Sequence, residues 1–204
     1  MTILHLVRHG STPWTEDGNR YTGSTDVPLS PTGREEVERT GRGMATLAVD
    51  AVMTSPLLRA AETASTIAWS HGLEPVMEPG LAEIDFGQWE GLRRAEILLH
   101  HPQAWETWRQ RPEVTRAGTT GETGADVVVR ALAALDGIAA TFPDGEVIAV
   151  THNTLIRLVL VAILGAPLKS YGSLVIEPGS VTQIELLRDA DPRIIATNRV
   201  LVHS

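Results

Sequence analysis

Three segments of the chain share one local pattern, in which a short apolar run is followed by a polar turn and then by a helix-like stretch. The apolar runs are Ile3–Val7, Ala51–Met53 and Val147–Val150. Short apolar runs bounded by turns are typical of buried strands, and strands that alternate with helices favour a parallel sheet. The pattern therefore predicts an α/β fold built around a mostly parallel sheet.

Helix-start signals and periodic segments predict where the remaining elements lie. Ser30-Pro31 and Ser55-Pro56 each combine a helix N-cap residue with a proline at the first helical position. Helices are also predicted for residues 125–140 and Leu155–Leu164, and strands for Ser173–Ile176, Val181–Leu187 and Ile194–Val202.

Composition limits the classes of partner that the chain can have. Its 17 Lys and Arg residues against 25 Asp and Glu residues give a net charge of −8, which argues against nucleic acid or an anionic membrane as the main partner. The sequence has no cysteine, which excludes a disulfide framework, thiolate catalysis and zinc bound by cysteine. The longest charge-free apolar run, Leu158–Ala166, is far shorter than the roughly 20 residues of a membrane span, and the N-terminus lacks a signal-peptide pattern. We expect a cytoplasmic protein with a single domain over residues 1–204.

The segment over residues 86–116 departs from the strand-and-helix rhythm. It holds five arginines and three of the five tryptophans, Trp89, Trp105 and Trp108. We expect a small inserted cap or lid at about residues 86–120, from which Trp89, Arg93 and Arg94 contact the substrate. The alternative is a helical hairpin whose tryptophans belong to the core.

Polar turns that contain histidine follow the first and third predicted strands. In an open parallel sheet, ligands bind at the carboxyl ends of the strands. His9 and His152 stand at such ends, Arg8 adjoins His9, and Arg59 lies early in the helix after the second strand. Guanidinium groups bind phosphate through paired charge-assisted hydrogen bonds, and an imidazole can attack phosphorus to form a phosphohistidine. These side chains predict phosphoryl transfer, with the arginines and a protonated His152 in place of a metal ion.

An alkoxide leaving group also needs a proton, so we expect a carboxylic acid with a raised pKa near these histidines. The residues alone leave four candidates for it: Glu83, Asp85, Glu62 and Glu90. A metal site is not expected, because the pair His100-His101 has no third ligand at a supporting spacing.

Six sequence blocks, in order between residue 4 and about residue 157, resemble the histidine phosphatase superfamily, which has the phosphoglycerate mutase-like fold. The blocks are LVRHGST at 6–12, RxxGxxDxPLSxxG at 20–33, TSPLLRAAETA at 54–64, LAEIDFGQWEG at 81–91, GETxxDxxxR at 121–130 and VTHxxxIR at 150–157. The Arg-His-Gly motif alone is a weak signal, whereas six ordered blocks are specific.

The resemblance implies a three-layer sandwich and a role for each matching residue. His9 is implied as the phosphorylated nucleophile, Glu83 as the acid that protonates the leaving oxygen, and Arg8, Arg59 and His152 as ligands of the phosphoryl group. Further phosphate-binding or substrate-binding residues are implied at Ser11, Thr12, Thr15, Arg20, Gly23 and Asn153. Ser11, Thr15 and Asn153 differ from the residues that many members carry at these positions.

The activity implied by the resemblance is that of a metal-independent phosphomonoester hydrolase that acts on a small phosphorylated metabolite and needs no cofactor. The length of 204 residues and the form of the segment Glu83–Gly87 favour the phosphatase branch. Two alternatives stay open, a cofactor-dependent phosphoglycerate mutase and a phospho-ligand binding protein without catalysis. The cap leaves two substrate types open, one with a second anionic group and one with a flat apolar part. A homodimer is also left open.

Overall fold

The computed structural model describes residues 1–188 and 190–201, which contain one six-stranded sheet. The strands are β1 (Thr2–Arg8), β2 (Ala51–Thr54), β3 (Val76–Met77), β4 (Glu146–Thr151), β5 (Val181–Leu186) and β6 (Arg193–Arg199). Their order in the sheet is β3-β2-β4-β1-β5-β6. The first four strands in this order pair in parallel, whereas β5 pairs antiparallel with β1, and β6 antiparallel with β5. The predicted mostly parallel sheet is confirmed.

The helices within the described residues are α1 (Pro13–Glu16), α2 (Pro31–Met44), α3 (Leu58–Trp69), α4 (Arg94–His100), α5 (Pro102–Gln110), α6 (Gly124–Thr141) and α7 (Asn153–Ile163). Short 3₁₀ turns cover Pro79–Leu81, Gly87–Trp89 and Leu168–Ser173. Among the described residues, no helix combines the length and the apolar character that crossing a membrane requires.

Both faces of the sheet are apolar, and each is covered by helices. Successive side chains of a strand point to opposite faces. Leu6 and Ala149 accordingly pack in one core cluster with side chains of α6 and α7, whereas Val7 and Val150 pack in a second cluster with side chains of α2 and α3. The result is the three-layer sandwich that the resemblance implied.

The two Ser-Pro signals have different outcomes. Ser30 caps α2 as predicted, and its hydroxyl accepts a hydrogen bond from the Gly33 N–H at 3.0 Å. The second prediction is wrong, because α3 begins at Leu58 and its N-cap residue makes no side-chain capping bond. The Ser55 hydroxyl lies instead 2.7 Å from Nε2 of His152. The same hydroxyl also accepts a hydrogen bond from the Leu57 N–H at 3.3 Å, so Ser55 bonds within the turn that precedes α3 and does not cap the helix itself.

One predicted strand is wrong, and another lies partly outside the described residues. Residues 173–176 complete a 3₁₀ turn and continue without regular structure. Since β4 and β5 already occupy both edges of β1, this segment has no edge to pair with beside the central strand. Its Ile176 carbonyl accepts a hydrogen bond from Arg8 instead. Of the predicted strand Ile194–Val202, Val202 lies outside the described residues.

The three tryptophans of the middle segment are buried in the core cluster that also contains α6 and α7. The ring centroids of Trp89 and Trp105 lie 5.6 Å apart, and those of Trp89 and Trp108 lie 6.4 Å apart. Helix α5 therefore carries two core tryptophans and the 3₁₀ turn Gly87–Trp89 carries the third, as in the alternative that the sequence left open. A cap over about residues 86–120 stays a prediction.

Candidate active site

The histidines that follow β1 and β4 meet at the carboxyl ends of the parallel strands. The ring centroids of His9 and His152 lie 5.1 Å apart, although the two residues are far apart in the chain. A cavity of about 510 Å³ opens at this edge, and its lining includes Arg8, His9 and Glu83. The prediction that these strand ends form one site is therefore supported by their placement.

The His9 imidazole is held in one tautomer. Its Nδ1 lies 2.7 Å from the Gly10 carbonyl oxygen. A carbonyl oxygen can only accept a hydrogen bond, so Nδ1 carries the proton and Nε2 keeps its lone pair. Burial, followed by the charges of Arg59 and Arg8, lowers the pKa of His9 well below its usual value of 6.5. His9 thus presents a neutral, unprotonated Nε2.

His152 is fully buried beside it, and its Nδ1 has no hydrogen-bond partner among the described residues. Burial, followed by the charge of Arg59, lowers the pKa of His152 well below 6.5, so the protonated form that we expected is disfavoured here. A phosphate dianion beside the ring would raise this pKa again, because a nearby negative charge favours the imidazolium.

Two arginines are held by backbone carbonyl groups rather than by carboxylates. Arg59 is fully buried and donates to the carbonyl oxygens of Thr25 at 3.0 Å and Gly23 at 2.7 Å. Arg8 donates to the carbonyl oxygen of Ile176 at 2.5 Å. Carbonyl groups orient a guanidinium without cancelling its charge, and burial lowers the pKa of Arg8 only to about 10. Burial lowers the pKa of Arg59 as well, and because a guanidinium stays protonated in proteins, both groups are cations at neutral pH.

Unpartnered buried nitrogens concentrate in this cluster. The described residues contain six buried side-chain polar atoms without a hydrogen-bond partner, and three of them are Arg8 Nε, Arg59 Nε and His152 Nδ1. Burying such a group without a partner costs about 1–3 kcal/mol. Three of them in the cluster around His9 fit a bound anion with several acceptor oxygens.

Glu83 is placed by the N-terminus of α7. Its carboxylate accepts hydrogen bonds from the backbone N–H groups of Thr154 at 2.9 Å and Leu155 at 3.0 Å. These bonds and the charge of Arg59 favour the ionised form, but burial outweighs them and raises the pKa of Glu83 above 4.5. This is the raised carboxyl pKa that the sequence analysis expected near the histidines.

The structure also selects among the four candidate carboxylates. Glu83 lines the cavity, whereas the other three bind backbone N–H groups elsewhere. Glu62 accepts from Leu29, Asp85 from Gly87, and Glu90 from Gly23, Ser24 and Phe86.

A sequence profile of the histidine phosphatase superfamily (branch 1) matches residues 4–199. The chain belongs to the histidine phosphatase superfamily. The six ordered blocks found in the sequence all lie within this match.

Relatives and solved structures agree with this membership. The chain is 30% identical over 187 residues to Phosphoserine phosphatase 1 of Hydrogenobacter thermophilus, covering 91% of this chain and 87% of the relative. It is 31% identical to Bacillus stearothermophilus YhfR, with a TM-score of 0.87 and 96% of both chains covered. It is 28% identical to a mycobacterial glucosyl-3-phosphoglycerate phosphatase solved with VO3, with a TM-score of 0.85, covering 96% of this chain and 98% of that chain. Three mycobacterial relatives are longer, and the chain, 36% identical to them over 160 residues, spans 43% of their length.

The residues that the superfamily resemblance or the predicted cap implied for phosphate or substrate binding fall into two groups. Thr15, Arg20, Arg94 and Asn153 line the cavity together with Arg8 and His9. Ser11, Thr12, Gly23, Trp89 and Arg93 are not among its lining residues, and their side chains or carbonyl groups make other contacts, so their expected contacts with the ligand are not supported. Arg59 and His152 are not lining residues either, but both lie beside His9 and each has a buried nitrogen without a partner.

Each residue of the second group has another structural task. The Ser11 hydroxyl donates to Glu36 at 3.0 Å, and the Thr12 hydroxyl caps α1 by accepting from the Thr15 N–H at 3.1 Å. Trp89 is a core side chain, and Arg93 pairs with Asp17. Gly23 orients Arg59 through its carbonyl oxygen, and an added Cβ would come within 2.1 Å of the Ile84 oxygen. Sequence patterns alone do not distinguish these supporting roles from ligand contacts.

Other features of the site were not predicted. Arg157, Lys169 and Tyr171 line the cavity, yet they received no role in the site from the sequence. Arg109 also lines it, and it is one of the five arginines of the predicted cap that suggested a second anionic group on the substrate. One signal was available, since Arg157 lies four residues after Asn153 on α7, a spacing that places two side chains on one helix face. For metals, no group of three or more His, Cys, Asp or Glu residues in the described ranges is arranged to hold an ion.

Arg130 of α6 clamps the segment that carries Glu83. It donates to the carbonyl oxygens of Ala82 at 2.7 Å and Glu83 at 3.1 Å, and it pairs with Glu122 at 2.8 Å. Glu122 in turn accepts a hydrogen bond from the Asp85 N–H at 3.0 Å. The GETxxDxxxR block is thereby connected to the acid block.

Replacing Arg130 with methionine is expected to destabilise the fold. Arg130→Met leaves Glu122 without its cation and the carbonyl groups of Gly80, Ala82 and Glu83 without a donor, which corresponds to roughly 1–3 kcal/mol less free energy of unfolding. Urea denaturation measures the loss. The matched control is Arg39→Met, because Arg39 is exposed on α2. Equal free energies of unfolding for the two variants would contradict the stabilising role of Arg130.

Proposed function

We propose that the chain is a metal-independent phosphatase that hydrolyses phosphomonoesters through a phosphohistidine on His9. One observation carries the proposal: the Gly10 carbonyl holds the Nδ1 proton, so a neutral Nε2 lies beside buried cations. The names of the relatives, phosphoserine phosphatase and glucosyl-3-phosphoglycerate phosphatase, support phosphatase activity. The assignment to His9 rests on the arrangement of this chain's own side chains.

In the first step, the lone pair of His9 Nε2 attacks phosphorus and the ester P–O bond breaks. The bonding electrons go to the leaving oxygen, which takes the proton of the Glu83 carboxyl. Arg8, Arg59 and His152 bind the equatorial oxygens, where charge accumulates in the transition state. The step ends with a free alcohol, a phosphohistidine and an ionised Glu83.

In the second step, a water molecule gives a proton to the Glu83 carboxylate and attacks phosphorus. The P–N bond breaks and its electrons return to His9 Nε2 as a lone pair. Inorganic phosphate leaves, and the enzyme regains a neutral histidine and a protonated Glu83. Splitting one displacement into two lets the same carboxyl group act first as acid and then as base.

The alternatives differ from a phosphatase in the fate of the phosphoryl group. A mutase returns it to another hydroxyl of the product, and a binding protein does not transfer it. The test incubates the protein, in excess chelator, with glycerol 3-phosphate and with 3-phosphoglycerate plus catalytic bisphosphoglycerate. Steady release of inorganic phosphate from both supports the proposal. Isomer formation that outpaces phosphate release, or loss of all activity in chelator, would overturn it.

The pH profile of kcat/KM is expected to be bell-shaped. His9 must be neutral to attack, and its pKa is lowered, so activity falls only at a pH well below 6.5. Glu83 must carry a proton, and its pKa is raised, so activity is lost as the pH rises through that value above 4.5. Initial rates with an alkyl phosphate, corrected for ionisation of the substrate, measure both limbs. An acid limb at the ordinary histidine pKa would contradict the assignment.

A further inference from the structure

The cavity next to His9 is strongly cationic, although the chain as a whole is acidic. Among the described residues that line it, Glu83 is the single carboxylate, whereas six side chains are basic. The basic side chains are Arg8, Arg20, Arg94, Arg109, Arg157 and Lys169. A phosphoryl group held by Arg8 and Arg59 accounts for the first of these and leaves five without an assigned role.

Two of the five are neutralised within the protein. Arg20 pairs with Asp17 at 2.5 Å, and Arg109 pairs with Glu106 at 2.8 Å. In the part of the chain that the structure describes, no carboxylate pairs with Arg94, Arg157 or Lys169. The charge of these three residues is therefore available to a ligand.

Arg157 is the most strongly oriented of the three. Its Nε donates to the Tyr171 carbonyl oxygen at 2.8 Å, and its guanidinium carbon lies 4.9 Å from the centroid of the Tyr171 ring. The two terminal nitrogens make no hydrogen bond to a described residue. They form a fixed fork of the kind that binds carboxylate or phosphate oxygens.

The position of Arg157 relates it to the phosphate pocket. It lies on α7, one turn after Asn153, which also lines the cavity. The charge of Arg157 lowers the pKa of Arg8, and the charge of Glu83 favours the protonated form of Arg157, so Arg157 lies near the reacting group. It is not among the residues whose charges lower the pKa of His152. An anion bound to this fork would belong to the alcohol part of the ester rather than to its phosphoryl group.

The aromatic side chains of the cavity do not favour a flat ligand. Trp105 is 8% exposed, and the Arg94 guanidinium lies 5.3 Å from the centroid of its ring. Tyr171 is covered by Arg157 in the same way, and its hydroxyl accepts a hydrogen bond from Trp108. The other two aromatic lining residues, Tyr21 and Phe86, pack edge-to-face against each other with ring centroids 4.8 Å apart. Because two of the four rings are covered by guanidinium groups and the other two pack against each other, stacking of a base or another flat group is disfavoured relative to anion binding.

We propose that the preferred substrate is a phosphomonoester whose alcohol part carries a second anionic group, a carboxylate or a second phosphate, bound by Arg157 with Arg94 and Lys169 at the rim. This inference rests on the proposed phosphatase function and adds the class of its substrate. It decides between the two substrate types that the sequence left open.

The first experiment compares substrates that differ only in the second anion. O-phosphoserine is paired with O-phosphoethanolamine, 3-phosphoglycerate with glycerol 3-phosphate, and 1,3-propanediol bisphosphate with its monophosphate. We expect kcat/KM to be about 10-fold or more higher for one or more of the doubly anionic members, since charge-assisted bonds to a fork are strong. The carboxylate pairs and the bisphosphate pair distinguish the two sources of the anion. Equal values within all three pairs would overturn the inference.

The second experiment assigns the preference to the fork. In Arg157→Met, the kcat/KM ratio within the preferred pair is expected to fall towards one, and Arg157→Lys should give an intermediate ratio because it keeps the charge but loses the planar fork. Arg39→Met, an exposed arginine on α2, is the matched control and should keep the full ratio. Arg94→Met covers the case in which Arg157→Met fails to fold, because Arg94 is exposed and its loss should lower the ratio too.

The two levels of the proposal fail in different ways. If neither p-nitrophenyl phosphate nor any of the six esters releases phosphate, the phosphatase function itself is wrong. If phosphate is released but the preference survives in both Arg157→Met and Arg94→Met, the phosphatase stands and the anion site is wrong.

Discussion

His9→Ala is expected to abolish turnover of phosphomonoesters, with kcat reduced by about 10⁴-fold or more, the scale seen when a covalent nucleophile is removed. Alanine removes Nε2, so no phosphoryl-enzyme can form and the two-step route is lost. Arg8, Arg59 and His152 remain, so the variant should still bind inorganic phosphate. Phosphate release measures the loss, and calorimetric titration with phosphate measures the retained binding.

A radiolabelled substrate makes this expectation specific. Rapid quenching of the wild-type protein should trap a label that is stable in base and labile in acid, as expected of a phosphohistidine, and peptide mapping should place it at His9. The control His100→Ala alters an exposed histidine of α4 and should leave turnover and labelling unchanged. Turnover that survives in His9→Ala, or a label on another residue, would contradict the nucleophile assignment.

Glu83→Gln is expected to slow hydrolysis in a way that depends on the leaving group. For alkyl phosphates, whose alkoxide needs a proton, kcat should fall by roughly 10²–10⁴-fold, the usual range for loss of a general acid. For p-nitrophenyl phosphate, whose leaving group is stable as an anion, the first step should be slowed far less. Glutamine has nearly the shape of glutamate but cannot donate the carboxyl proton.

Two further measurements separate the acid role of Glu83 from a structural one. The alkaline limb of the kcat/KM profile should disappear in Glu83→Gln, because the raised pKa that produces it belongs to this carboxyl group. Glu74→Gln, which changes an exposed glutamate, is the matched control and should keep both limbs. Equal slowing of alkyl and nitrophenyl esters, with the alkaline limb intact, would show that Glu83 is not the acid.

The architecture was largely predictable because its signals are local. Buried strands need apolar runs, and polar turns must follow them, so Ile3–Val7 and Val147–Val150 already predicted β1, β4 and the edge at which His9 and His152 meet. The failures occurred where distant contacts outweigh local preference. The Ser55 hydroxyl lies against His152 and does not cap α3, and both edges of β1 are already paired, so residues 173–176 do not join the sheet beside it.

The site residues likewise divide into those that the sequence indicated and those that only distant contacts identify. The ordered blocks pointed to Arg8, Arg59 and Glu83 by family resemblance, and the structure brings these side chains together around His9. Residue types alone did not distinguish Glu83 from three other candidate acids. The backbone N–H group of Thr154, which binds the Glu83 carboxylate, is 71 positions away, and a local sequence pattern does not reveal such a partner. Ser11 and Thr12 lie in the same block as His9, yet their hydroxyls bond to Glu36 and to the Thr15 N–H.

By itself, the sequence determined the alternation of strands and helices and the kinds of side chain that stand at the strand ends. Only the tertiary structure decided which nitrogen of His9 keeps its lone pair, which carboxyl group is buried enough to hold a proton, and which arginines remain without a carboxylate. The reason is that protonation and charge depend on burial and on neighbours that the fold gathers from remote segments. Strand and helix formation depends mainly on residues that are adjacent in the chain.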